Sequence, residues 1–210
     1  MTIEKDVPKI EQKIVVTIDI CSSTSIIEDL HRTENTIKWR DFLIWMKRYL
    51  RITSKGIGFY IYKFTGDGWI LLFDYDYPGN NLISFLEEFC KQFKVRYRRK
   101  VEDSLDTPPM ISGMTFGIDR GSLIRFIMNG QREYVGRAIN VACRLQGAIK
   151  DRDKKPQYKA LITRHLYQDI RHSLAHLRTV IVKRKLRNIG GAEEVHCIKV
   201  SLLSRNQNDA

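Results

Sequence analysis

The chain has 210 residues, enough for one domain with a full core and too few for two comfortable ones. A hydrophobic fraction of 43% with 10% aromatics excludes disorder, and the longest apolar runs fall far short of a membrane span. Against 24 acidic residues stand 36 lysines and arginines, and the formal charge of +12 favours polyanionic partners such as nucleic acid, acidic membranes or small polyphosphates.

Residues 1–12 are charged, have no apolar centre and read as an N-terminal extension, not a signal peptide. "KIVVTIDI" (13–20) is a continuous apolar run closed by Asp19, the pattern of a buried central strand. "SSTSIIEDL" supplies an N-cap and opens a helix, and Phe42, Trp45, Met46, Tyr49 and Leu50 continue its spacing until "SKGIG" breaks it. Two strands, 57–65 and 69–74, flank "TGDG". A second helix over 80–100 carries Leu82, Phe85, Leu86, Phe89 and Phe93 on one side, and its "KVRYRRK" end reads as solvated cations near a helix C-terminus.

After the loop "DSLDTPP", residues 110–124 read as a strand with Gly117 and Gly121 around a bend. A third helix spans 136–150, followed by a strand "KALIT", a small helix near 163–171 and a closing strand pair at 176–183 and 193–200. Strand, helix, two strands, helix, strand predicts an α+β fold with a ferredoxin-like βαββαβ core and C-terminal β-hairpin additions. The domain spans 13–200, and 201–210 is expected to be a frayed tail. Cys21, Cys90, Cys143 and Cys197 are scattered without a C-x-x-C pair, as in reduced cytoplasmic proteins.

Asp19 and Asp67 each sit where a strand runs out into a turn. On adjacent antiparallel strands they come within reach of one divalent cation, and hard oxygen ligands suit Mg²⁺ or Mn²⁺. Taken singly, each has a plainer role as an N-cap or a turn residue. Ser22, Ser23 and Thr24 open a helix whose free N–H groups make a phosphate cradle. In the third helix Ala138, Val141, Ala142, Leu145 and Ile149 form the buried stripe, while Asn140 and Arg144 share a polar face.

"TIDICSST", "KFTGDGWILLF", "GIDRG" and "EYVGRAINVACRLQ", in this order and spacing, resemble the class III nucleotidyl cyclases over nearly the whole chain. The resemblance implies a ferredoxin-like enzyme that converts a nucleoside triphosphate to its 3′,5′-cyclic monophosphate plus pyrophosphate, at sites shared across a homodimer. By resemblance, Asp19, Asp67 and the Ile20 carbonyl hold two ions, Mn²⁺ or Mg²⁺. Asn140 positions the ribose and Arg144 stabilises charge on the α-phosphate. Lys63 and Glu133 fall at the base-recognition positions, with Thr65 on Lys63's strand face. Lys159 and Arg187 resemble residues that hold the triphosphate, beside Ser23 and Thr24. Two departures are Ser23, where many members carry phenylalanine, and Arg137, which replaces a frequent acidic residue.

The Lys63 and Glu133 pair disfavours guanine, and hydrogen-bond polarity alone fits ATP, CTP and UTP equally. Glutamate reaches further than the residues common in adenylate cyclases, and alternation puts Phe59 and Ile61 on Lys63's face, where they would narrow the pocket. Tyr60 and Tyr62 are expected to point away from it. Together with the lone-domain format, this resembles the pyrimidine cyclases of bacterial antiphage (Pycsar) systems, with UTP ahead of CTP, a cytoplasmic location and a separate effector activated by the cyclic product. The alternatives are a stand-alone adenylate cyclase and, from another class, a ferredoxin-like nucleic-acid-binding domain. Asp19 and Asp67 on the sheet would repel nucleic-acid phosphates, so neither nucleic acid nor a membrane is an expected partner.

Overall fold

A computed structural model describes residues 7–150, 153–186, 189 and 194–203. In chain order the elements are β1 (Lys9–Ile20), α1 (Ser23–Arg32), α2 (Thr36–Ile57), β2 (Tyr60–Phe64), β3 (Gly68–Asp74), α3 (Gly79–Lys100), β4 (Met114–Met128), β5 (Gln131–Val135), α4 (Arg137–Lys150), β6 (Lys159–Thr163), α5 (Arg164–Ile170), β7 (Arg178–Arg184) and β8 (Val195–Ser201). The strands form one sheet in the order β2-β3-β1-β4-β6-β8-β7, with β5 paired to β4. Its first four strands have the ferredoxin-like arrangement. The C-terminal strands extend the same sheet through the parallel β4–β6 pair.

Strand alternation divides the core into two layers. Ile14, Val16, Ile18 and Ile20 of β1 face the larger layer, packed with Phe42, Met46, Phe89 and Phe93 of α2 and α3. The opposite face carries Val15, Ile70, Leu72 and Leu123 beneath Ala138 and Ala142 of α4. Val141, Leu145 and Ile149 of α4 continue onto Leu161 and Cys197. The expected stripe of α4 is therefore the buried one. All four cysteines are free.

Four local expectations are corrected. The first helix is two, because Glu34 takes a left-handed backbone (φ 58°) while the Thr33 and Asn35 side chains bond nearby carbonyls. Ser22 does not cap α1: it is itself left-handed, and its hydroxyl donates to the Ile111 carbonyl at 2.8 Å. β1 starts at Lys9, so the N-terminal stretch enters the sheet four residues earlier than read. The strand over 110–124 does not bend at its glycines but continues to Met128 and turns back as β5 through Asn129 and Gly130, both left-handed (φ 53° and 73°). Residues 204–210 lie outside the described chain.

Gly117 has a different task from the expected bend. A Cβ there would overlap the Ala142 carbonyl oxygen and crowd the Gln146 amide, so the absent side chain lets α4 lie directly on β4. Thr17 Oγ1 fastens the same spot by donating to the Ala142 carbonyl at 2.9 Å. Gly117→Ala is expected to push α4 off the sheet and destabilise the protein by about 1–3 kcal/mol. Urea unfolding followed by circular dichroism checks this; an unchanged midpoint would contradict it.

Candidate active site

The β1–β3 register sets Asp19 opposite Gly68, one residue past Asp67. Gly66 supplies a left-handed turn (φ 101°), and the Thr65 amide donates to the Gly68 carbonyl at 3.0 Å to close it. The Ile20 amide donates to the Asp67 carbonyl at 3.3 Å, tying the two turns together. Ser23 Oγ donates to Asp67 Oδ2. Both aspartates are half-buried and line one cavity of about 240 Å³, roofed by Cys143 and Gln146 of α4 and edged by Thr65. Two carboxylates at a partly wetted cavity are a donor set for a hard cation. Among the described residues no cluster of three or more His, Cys, Asp or Glu side chains is placed to hold a metal. The fit therefore rests on Asp19 and Asp67; Ile20, whose carbonyl was expected to join them, does not line this cavity.

The first turn of α1 begins beside this pair. Ser22 is turned to Ile111 and Ser23 to Asp67, so no side chain caps the helix, and the exposed Thr24 sits at its open end. Uncapped first-turn amides at a helix N-terminus favour an anion.

Lys63 and Glu133 come together: Lys63 Nζ lies 3.5 Å from Glu133 Oε2, with the lysine 55% exposed and the glutamate 15%. A residue that strand alternation misplaced joins them. β2 carries a bulge between Ile61 and Lys63, so Tyr60 pairs with Leu72, Ile61 with Leu71 and Lys63 with Ile70. Leu72 and Ile70 face α4, whereas Leu71 faces the larger core. The bulge thus separates Lys63 from Phe59 and Ile61. Phe59 is buried against Phe73 and Phe85, so these two residues do not narrow a pocket at Lys63. Tyr62, expected to point away, donates from its hydroxyl to Glu133 Oε2 at 2.6 Å and accepts from the Tyr134 amide at 3.2 Å. Burial and the adjacent Glu133 carboxylate push the Tyr62 phenol up to about 12. The Tyr62 hydrogen bond, followed by Lys63, holds the Glu133 carboxyl below its usual range. Thr65 lies beyond the end of β2, at the aspartate cavity and off Lys63's strand.

Asn140 and Arg144 lie on the exposed side of α4 and do not line the aspartate cavity of their own chain. Lys159 is in register with Thr115 of β4, which is in register with Asp19, so these three lie in a row across the α4 face. At roughly 4.8 Å per strand, Lys159 starts about 10 Å from Asp19. Its ammonium donates to Asp153 Oδ2 at 2.8 Å, an oxygen shared with Lys199 at 2.9 Å. Arg187 lies outside the described residues.

Burial opposes ionisation of Asp153, but hydrogen bonds from Lys159, Lys199 and the Lys155 amide outweigh it and hold the carboxyl at about 2. Its folded value is depressed, so this cluster stabilises the protein above the ordinary carboxylate range, and the contribution is lost as pH falls from about 4 towards 2. Asp153→Asn is expected to remove about 1–2 kcal/mol at neutral pH, discounted for partial solvent screening, and to flatten that acid slope. Urea midpoints measured from pH 7 to pH 2 test this; parallel profiles for both proteins would contradict it.

No family model matches the sequence and no curated protein does. Solved structures do match in fold. The adenylyl cyclase CyaB from P. aeruginosa aligns over 97% of this chain and 100% of its own at 20% identity, with a TM-score of 0.66. The guanylyl cyclase Cya2 aligns over 95% and 96% at 18% identity and TM-score 0.69. An adenylate cyclase from Trypanosoma brucei, solved in its monomeric state, aligns over 93% and 91% at 16% identity and TM-score 0.65. The chain therefore has the fold of class III cyclase catalytic domains. Among the described residues no helix is long and apolar enough to cross a membrane.

Proposed function

We propose that this chain is a nucleotidyl cyclase, converting a nucleoside triphosphate to its 3′,5′-cyclic monophosphate and pyrophosphate. The observation that carries the reading is the convergence of Asp19 and Asp67 on one cavity within a cyclase fold. The reaction brings the 3′-hydroxyl oxygen onto the α-phosphorus as the bond to the pyrophosphate oxygen breaks. Asp19 and Asp67 would hold Mn²⁺ or Mg²⁺, which would supply acidification of the hydroxyl and offset charge on the phosphates. Ser23 fixes the Asp67 carboxylate through its hydroxyl. The open first turn of α1, with Thr24, receives phosphate oxygens.

Asn140 and Arg144 then act from the partner of a homodimer, orienting the ribose and stabilising charge on the α-phosphate. Their exposed placement on α4, away from the cavity of their own chain, favours this assignment. Lys159 reaches the triphosphate by exchanging Asp153 for phosphate oxygens, and Arg187 is assigned the same role from the motif alone.

The finer reading is a pyrimidine substrate, UTP ahead of CTP, whose cyclic product activates a separate effector in antiphage defence. Its support is the motif resemblance, together with a glutamate at 133 whose approach is crowded by Tyr62. The second reading, an adenylate cyclase, fits the Lys63 and Glu133 pair equally, because adenine also presents one acceptor beside one donor.

Asp19→Ala and Asp67→Ala are each expected to lower turnover with Mn²⁺ by at least about a thousandfold while circular dichroism stays unchanged. A folded variant that keeps near-wild-type turnover would remove the two-carboxylate assignment. Asp67→Ala mixed with Arg144→Ala is expected to recover up to about a quarter of wild-type activity, because one site of each mixed dimer is intact. A mixed dimer, confirmed by native mass spectrometry, that stays inactive would contradict the shared site.

A further inference from the structure

The base-recognition end of the site contains a contact that the pairing of Lys63 with Glu133 does not require. Tyr62 spends its only hydroxyl proton on Glu133 Oε2, at 2.6 Å, and its lone pair accepts the Tyr134 amide at 3.2 Å. The Tyr134 carbonyl, 2.9 Å from the same hydroxyl, is the weaker competing acceptor, since a carboxylate attracts the proton more strongly. The Tyr62 ring also meets the Tyr134 ring edge-on, with centroids 5.4 Å apart. The tyrosine is thus fixed at both its ring and its hydroxyl, and Lys63 Nζ approaches the oxygen it has taken, at 3.5 Å.

The consequence is an asymmetry in Glu133. Oε2 already faces two donors, whereas Oε1 is the oxygen left for an incoming base. Guanine presents two adjacent donors, N1–H and the 2-amino group, and satisfies both only on a carboxylate with two available oxygens. Adenine, cytosine and uracil each present one donor next to one acceptor, which a single carboxylate oxygen and the Lys63 ammonium match. We propose that Tyr62 is a positioning residue for base specificity, occupying Glu133 Oε2 so that the site excludes guanine and accepts bases with a single-donor, single-acceptor edge. This inference rests on the cyclase reading above and deepens it.

The bulge in β2 is what makes the arrangement possible. Without the register shift between Ile61 and Lys63, neighbouring residues 62 and 63 would face opposite sides of the sheet. With it, both reach Glu133. The role also has a titration signature, because the Tyr62 hydrogen bond favours the ionised carboxylate. Of the groups near Glu133, Tyr62 and Lys63 face it from β2, Arg132 and Tyr134 flank it on β5, and its cross-strand neighbour on β4 is the uncharged Phe126.

The test is a panel of kcat/KM values for ATP, CTP, GTP and UTP with Mn²⁺, from pH 3 to pH 9. It covers wild type, Tyr62→Phe, Glu133→Gln and the double variant, with equilibrium binding of each triphosphate measured alongside. Tyr62→Phe is expected to raise GTP relative to the preferred triphosphate by about tenfold or more, the scale of one hydrogen bond to a charged group. Its acid limb should move to higher pH, because Glu133 then protonates more readily. In the Glu133→Gln background, removing the Tyr62 hydroxyl should change the preference by less than about twofold, since the tyrosine acts through the glutamate.

An unchanged GTP ratio, an unmoved acid limb or additive effects in the double variant would overturn the proposal while leaving the cyclase reading intact. If Tyr62→Phe fails to fold, Tyr62→Leu carries the same test: its GTP ratio must rise, and an unchanged one overturns the proposal. A folded wild-type protein that neither binds nor converts any triphosphate overturns the cyclase reading, and this inference with it.

Discussion

The antiparallel register between β1 and β3 is the constraint on which the site depends. It holds because the two strands are apolar on both faces, and a one-residue slip would move every side chain to the wrong layer. That register carries Asp19 to the end of β1 opposite Gly68, where a Cβ would overlap the Ile18 carbonyl oxygen. Glycine there brings the backbones together, and the turn before it delivers Asp67 to the same cavity. Two carboxylates are thus held near each other by the core beneath them, and Ser23 restrains one of them.

The second support is the seat of α4. Thr17 and Gly117 receive the helix backbone at the Ala142 carbonyl, and Gln146 donates to Thr115 at 2.8 Å. Together these contacts decide which residues roof the aspartate cavity and which face solvent. The half-buried Gln146 and the exposed Cys143 line that cavity, while Asn140 and Arg144 are exposed away from it. Asn140 and Arg144 stay exposed on one helix side, whereas the buried alanines explain why the helix lies so close to its own sheet.

Much of this was legible in the sequence, and the reasons are physical. Apolar runs closed by an aspartate, a small-residue stripe at helical spacing and the strand "KALIT" express periodicities that the core enforces, and β6 follows its predicted bounds. β5 went unread although Asn129-Gly130 carries a hairpin signal. The bulge at Tyr62 has no such signal: no glycine or proline marks it, and simple alternation therefore put Lys63 on the face of Phe59 and Ile61 instead of beside Tyr62. The break between α1 and α2 carries no glycine or proline, and it shows only as a phase shift: Trp39, Phe42, Met46 and Leu50 would fall on the opposite side of a continuous helix from Ile26 and Leu30. Nothing local in the sequence ties Lys159 to Asp153, because that contact is made by a loop closing over the start of β6.

The central claim is that the aspartate pair serves cyclisation of a nucleoside triphosphate. Its most direct test is to incubate the protein with Mn²⁺ and an equimolar mixture of ATP, CTP, GTP and UTP, then identify the products by chromatography and mass spectrometry. The account predicts pyrophosphate and one dominant 3′,5′-cyclic monophosphate, that of uridine, with little or none from GTP. Four intact triphosphates, or release of nucleoside diphosphates and phosphate without a cyclic product, would contradict it.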